Sequence, residues 1–285
     1  MHAGDAMISL NLFGPLSVTV GGRRLGPRDL NGVKPRQILE LLALHRRAVS
    51  KEELVDALFG RRMPVDPVAT LESYVSVLRN VLQPGVHRDD SLIATVQGGY
   101  TLVRERALID IDRFDEIVRS LPSLHDHDRR SLLLEAAEIA AGKVLENEPY
   151  AEWVQSERRH YERLRLDVFV AAAEACVEAG DGARALDVAE RAVAADSTCE
   201  VAYLAGMRAA GVLGRRDMVA RIYQQCERAM RSELGVAPMG VTTELRDELL
   251  QAERRLVGSG SGLGEVRDAD ERELGACRWP SSRFG

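Results

Sequence analysis

Three patterns in the 285-residue sequence predict a mainly α protein with a small β component. Apolar and polar residues alternate over positions 8–20, with the period of two that half-buried strands require. Three helical segments and a hairpin pattern follow as far as residue 103. Beyond about residue 109 the strand signal almost disappears, and alanine-rich segments recur at helical spacing.

Ile8-Ser9-Leu10-Asn11-Leu12 and Leu16-Ser17-Val18-Thr19-Val20 read as strands punctuated by Gly14-Pro15. Gly21-Gly22 then turns the chain into a third short strand near Arg24-Leu25. A helix begins near Lys34-Pro35, where the missing proline N–H costs little. Ile38, Leu41, Leu42 and Leu44 form its apolar stripe. Ser50-Lys51-Glu52-Glu53 has the form of a capping box and opens a short helix that Gly60 ends. A third helix runs from about Pro67 to Leu82 and stops at Pro84-Gly85. Leu92–Val96, a Gln97-Gly98-Gly99 turn and Tyr100–Val103 make a β-hairpin. Strands, three helices and a terminal hairpin in this order form a winged helix-turn-helix. The leading strands make it the OmpR-type version, expected over residues 1–104.

Residues 105–257 are expected to form an all-α, tetratricopeptide-like domain. Gly180-Asp181-Gly182-Ala183-Arg184-Ala185-Leu186 recurs loosely as Gly214-Arg215-Arg216-Asp217-Met218-Val219-Ala220, an offset of 34 residues. Each glycine should turn the chain between antiparallel helices, 167–179 with 183–195 and 199–213 with 217–231. Ala172, Ala185, Ala189 and Ala205 are small enough for close helix packing. Residues 258–285, opening GSGSG, read as a flexible tail in which Trp279 and Phe284 are unanchored.

The net charge of −6 is unevenly spread: residues 1–104 hold 13 Lys+Arg against 10 Asp+Glu, and residues 105–257 hold 21 against 29. That balance allows a nucleic-acid partner for the N-terminal third only. No run approaches the roughly 18 apolar residues of a membrane span, and MHAGDA lacks the basic and apolar regions of a secretory signal. A cytoplasmic, nucleoid-associated protein is expected. Cys176, Cys199, Cys226 and Cys277 have no CxxC or zinc-knuckle spacing, so they read as ordinary reduced thiols. His125-Asp126-His127-Asp128 offers metal-compatible residues, but neighbouring positions on a helix diverge by about 100°, and a solvated linker is preferred. No GxxxxGK[ST] loop or supported nucleophile constellation occurs. No enzyme and no cofactor are expected. The seven residues before the first strand leave no room for a receiver domain, and the tail is too short for an ATPase module.

On the third helix, Leu71, Val75, Leu78 and Leu82 fall within about 60° of one another as a core stripe. Ala69, Ser73, Ser76, Val77 and Asn80 lie opposite, with Thr70 and Tyr74 on one flank and Arg79 on the other. Such a face suits the major groove: small residues permit close approach, Ser, Thr and Asn bond to base edges, and Val77 can touch a thymine methyl. Lys34, Arg36, Arg61, Arg62 and Arg79 are the cations placed to reach phosphates, and Gln97 sits in the wing.

At this point the chain resembles the Streptomyces antibiotic regulatory proteins. The resemblance rests on Leu12-Phe13-Gly14-Pro15-Leu16, Lys34-Pro35-Arg36-Gln37, Leu54-Val55-Asp56-Ala57-Leu58-Phe59-Gly60, the Thr70–Arg79 helix and Gly99-Tyr100. It continues through Ile111-Asp112-Arg113-Phe114, Ala220-Arg221-Ile222-Tyr223, Glu233-Leu234-Gly235-Val236-Ala237-Pro238 and Glu244-Leu245-Arg246, and covers about residues 8–255. It implies an activator that binds direct repeats upstream of biosynthetic promoters, with self-association on the DNA, and recruits RNA polymerase. It further implies that a bacterial transcriptional activation domain follows the winged helix, and that the target is a secondary-metabolite gene cluster. Two departures stand out. The family's basic residues are replaced by Val77 and Asn80, and no basic residue precedes Gly99-Tyr100 in the wing. Modest affinity follows, with a salt slope no steeper than about six phosphates' worth. The alternative reading is a tetratricopeptide interaction adaptor whose winged helix is impaired in DNA binding.

Overall fold

The computed structural model describes residues 7–26 and 28–258, with side chains as far as residue 251. The tail expected over 258–285, with Trp279, Phe284 and Cys277, lies outside the described residues apart from Gly258, the last residue of the final helix. Contacts divide the chain into two compact units: Met1–Ile117 with Glu138–Arg165, and Val118–Ala137 with Leu166–Gly285.

The first unit opens with β1 (Ile8–Asn11), β2 (Ser17–Val20) and β3 (Arg23–Leu25). Their antiparallel register puts Leu10 opposite Val18 and buries both, as the alternation requires. β7 (Ala107–Ile109) completes this sheet by pairing parallel to β1, giving the order β3-β2-β1-β7. Helices α1 (Val33–Leu44), α2 (Lys51–Phe59) and α3 (Pro67–Leu82) follow. β4 (Val49–Ser50), β5 (Ile93–Val96) and β6 (Gly99–Leu102) then form a second sheet, β4-β6-β5. α1 is buried almost all round, including Glu40 at 0% exposure, so the stripe of Ile38, Leu41, Leu42 and Leu44 is only part of what it buries.

The expected capping box is half formed. Ser50 Oγ accepts the Glu53 N–H at 3.0 Å. The Glu53 carboxylate is drawn instead to the Arg47 guanidinium, at 2.6 and 2.8 Å. β6 lies so close to β4 that a methyl group at Gly99 would stand 2.1 Å from the Val49 carbonyl oxygen. Only glycine permits that pairing.

Residues beyond 104 belong to the first unit as well. At the start of α4 (Asp110–Ser120) the Asp110 carboxylate accepts the N–H groups of Leu12 and Phe13 at 2.8 and 2.9 Å. Burial pushes its pKa up to about 6 despite these bonds. Phe13, Phe114 and Tyr161 pack edge to face with centroids 5.1–6.1 Å apart. Tyr161 is therefore a core residue, its hydroxyl 2.9 Å from Asp115. Residues 147 and 148 reach α1: Asn147 Nδ2 donates to Glu40 at 2.6 Å, and Glu148 takes Gln37 Nε2 at 2.7 Å and the Arg36 guanidinium.

The second unit contains residues 126–137 of α5 (Asp126–Ile139) and 166–178 of α6 (Gln155–Glu178), followed by α7 (Gly182–Ala195), α8 (Glu200–Val212), α9 (Arg216–Ala229) and α10 (Gly240–Gly258). The 34-residue repeat is visible in the backbone. Gly180 and Gly214 both turn the chain with positive φ, +74° and +66°, between α6 and α7 and between α8 and α9. Asp181 caps α7 through the Arg184 N–H. Ala172, Ala185, Ala189 and Ala205 are all buried. His125–Asp128 lies at the start of α5, and no metal-holding group is found among the described residues. No described helix is long and apolar enough to cross a membrane.

Candidate nucleic-acid interface

α3 carries the candidate surface. Asp66 Oδ1 accepts the Ala69 N–H at 2.9 Å, and Pro67 takes the first helical position, where its ring is preorganised. Leu71, Val75, Leu78 and Leu82 are at most 1% exposed. This apolar stripe fixes which side of α3 faces away from the core. Ala69, Ser73, Ser76 and Asn80 are exposed there, flanked by half-buried Thr70, Tyr74 and Val77. The Thr70 hydroxyl donates to Asp66 O at 2.7 Å, so its oxygen remains available only as an acceptor. Gln97 is exposed in the two-residue turn between β5 and β6.

The predicted cations divide into two groups. Arg61 and Arg62 are exposed in the α2–α3 loop and form no ion pair among the described residues. Lys34, Arg36 and Arg79, expected to reach phosphates, are instead turned inward. Lys34 Nζ donates to the Leu58 carbonyl, near the end of α2, and to Gln37 Oε1 at 3.1 Å. Arg36 lies between Glu40, 3.2 Å away, and Glu148, with its side chain 18% exposed. Its charge is already compensated.

Arg79 binds the wing. Nε and Nη2 both donate to the Ile93 carbonyl, at 2.9 and 2.7 Å, and Nη2 also reaches Thr95 Oγ1 at 2.8 Å. The guanidinium lies 5.8 Å from the Tyr100 ring centroid. Burial first, and then the neighbouring Arg88 charge, lower its pKa. A side chain read as a phosphate contact thus ties the exposed helix to the hairpin beside it.

Three residues were missed by sequence reasoning. Arg88, exposed in the turn after α3, is near enough to Arg79 to act on its charge. Lys51, at the start of α2, pairs with Glu72 of α3 at 2.6 Å, and that hydrogen bond raises the lysine pKa. Glu72 is an acidic residue on an otherwise neutral or basic helix, a signal present in the sequence itself. In the second unit, a groove of about 640 Å³ opens between α7, α8 and α9, with Leu186, Val193 and Ile222 over a floor of Ala189, Ala202 and Gly206.

Residues 32–102 match the family of C-terminal domains of transcriptional regulatory proteins, and residues 109–250 match the bacterial transcriptional activator domain. The chain is 26% identical over 272 residues to the regulatory protein AfsR of Streptomyces coelicolor, covering 93% of this chain and 26% of AfsR. It thus spans about a quarter of that relative's length. The transcriptional regulator RedD of the same organism is 26% identical over 257 residues, covering 85% of this chain and 70% of RedD. The fold is similar to that of Mycobacterium tuberculosis EmbR, with a TM-score of 0.70 at 22% identity over 87% of this chain and 66% of EmbR. An OmpR-type winged helix joined to a bacterial transcriptional activator domain, with these relatives, places the chain among the Streptomyces antibiotic regulatory proteins, a family of transcriptional regulators.

Proposed function

We propose that this regulator binds double-stranded promoter DNA at direct repeats, with α3 in the major groove and the β5–β6 wing beside it. Bound there, it acts as an activator of a secondary-metabolite, antibiotic-type gene cluster by recruiting RNA polymerase, and adjacent copies associate on the repeats. One observation carries the reading. α3 is held by a buried apolar stripe and shows small, hydrogen-bonding side chains on its outer face, which is what a groove about 12 Å wide admits. Arg61, Arg62 and Arg88 supply phosphate contacts. With Lys34, Arg36 and Arg79 engaged internally, few free cations border α3, so affinity is modest and tandem binding matters.

The test is selection from fragmented genomic DNA with the purified full chain at two salt concentrations. Recovered fragments should share direct repeats near promoters, and replacing Ser73, Ser76 and Asn80 together by Ala should abolish their recovery while leaving the fold intact. Folded protein that recovers nothing above background overturns the reading. The shortage of free cations favours one alternative, an adaptor that works through the α7–α9 groove. In that case partner capture survives substitution of α3.

A further inference from the structure

The exposed side of α3 bears one carboxylate. Glu72 follows the core residue Leu71 by one position, about 100° around the helix, and lies about 40° from Ser76. It therefore borders the face proposed to meet DNA. Its Oε1 is 2.6 Å from Lys51 Nζ, with the two side chains 52% and 30% exposed. The Lys51 main chain is itself fixed, since its N–H donates to Gly98 O in the wing turn at 2.9 Å. An ion pair this open to solvent contributes little to stability. Its placement has a larger consequence for a polyanionic partner.

We infer that Glu72 is a specificity-determining residue that restrains binding to non-cognate DNA, by occupying Lys51 and by holding a negative charge at the edge of α3. The inference rests on the proposed DNA-binding role. Non-specific affinity comes almost entirely from cations replacing counterions on phosphates. Lys51 opens α2 beside the wing turn, where in the proposed docking it would face that backbone, yet its charge is cancelled by Glu72. A sequence without matching base-edge contacts offers nothing to offset the repulsion of the carboxylate or the breaking of the pair. A cognate site does, through Ser73, Ser76 and Asn80. Discrimination then comes from disfavouring the wrong sequence as well as favouring the right one.

The test uses the full chain with Glu72→Gln, Lys51→Met and the double substitution. Affinities for a random-sequence duplex and for a fragment recovered from the genomic selection are measured across a salt series. Gln preserves the size of the side chain, and a thermal melt confirms that each variant folds. Glu72→Gln should raise affinity for random duplex about fivefold at low salt. It should also steepen the salt slope by about 0.9, the value for one new phosphate contact, and lower the ratio of specific to random binding. In the Lys51→Met background the steepening should vanish. Equal random-duplex affinity and slope for wild type and Glu72→Gln, with specific binding intact, overturns the inference while leaving the DNA-binding role standing. Failure of every folded variant to bind either duplex overturns both.

Discussion

Arg79 distinguishes two physical roles that predict opposite experimental signatures. In the structure its guanidinium makes a fork on Ile93 O and a bond to Thr95 Oγ1. Arg79→Ala leaves the carbonyl of buried Ile93 short of these donors and unties α3 from β5. Hydrogen bonds from a charged donor contribute about 1.5–3 kcal/mol, and an unsatisfied buried acceptor costs about 1–3 kcal/mol. Because the guanidinium is only half-buried, the expected net loss is about 2 kcal/mol. Urea denaturation followed by far-UV circular dichroism measures it directly. DNA affinity should fall as well, because the wing is no longer held beside α3, but the slope of log affinity against log salt should stay within a few tenths of wild type. Arg79→Lys should recover only part of the stability, since one ammonium lacks the fork. The refuting result is the reverse pattern: an unchanged urea midpoint with the slope reduced by about 0.9, the signature of a lost phosphate contact.

Gly99→Ala forces β6 away from the Val49 carbonyl, 2.1 Å from the added methyl. It should cost about 2–4 kcal/mol in urea denaturation from overpacking and lost β4–β6 bonds, and a cost under about 1 kcal/mol would mean the strands separate freely. Burial is the largest influence on Glu40 and raises its pKa from 4.5 to about 7. The folded state therefore holds a proton that the unfolded chain has released, and this group's contribution to stability falls as pH rises from about 4.5 to about 7. Glu40→Gln keeps the Asn147 bond and should flatten that decline in melting temperature between pH 5 and pH 8, whereas an unchanged pH profile would show that Glu40 does not titrate there. A fragment of residues 1–104 lacks β7, Asp110 and Asn147, which bond to β1, to Leu12 and Phe13, and to Glu40. It should melt well below the full chain's N-terminal unit by hydrogen exchange, and equal protection of α1 in both would refute this.

Much of the candidate surface could be read from the sequence because its causes are local. A stripe at Leu71, Val75, Leu78 and Leu82 has only one helical phase, so burial of one side dictates exposure of Ser73, Ser76 and Asn80. The two turn glycines at a 34-residue offset likewise mark where antiparallel helices must reverse. What could not be read depends on partners far along the chain. Arg36 meets Glu148 across 112 positions, and β7 pairs with β1 across about 100. A three-residue strand has no periodicity to detect, and nothing near Arg36 in sequence announces that its charge will be cancelled.

The inward engagement of Lys34, Arg36 and Arg79 follows from the same physics. A basic residue next to a recognition helix has two ways to lower its free energy: a solvent-exposed phosphate that arrives later, or carbonyls and carboxylates of its own fold that are present throughout. Ends of helices and strand edges supply the second kind in abundance. Lys34 finds the Leu58 carbonyl near the end of α2, and Arg79 finds the Ile93 carbonyl at the start of β5. Arg61 and Arg62, in the α2–α3 loop, and Arg88, at the start of a single 3-10 turn after α3, have no such acceptor among the described residues, and these are the ones left facing solvent. Around a winged helix, loop cations are therefore the better candidates for phosphate contacts, and cations within the helices are the better candidates for holding the helix, the turn and the wing in register.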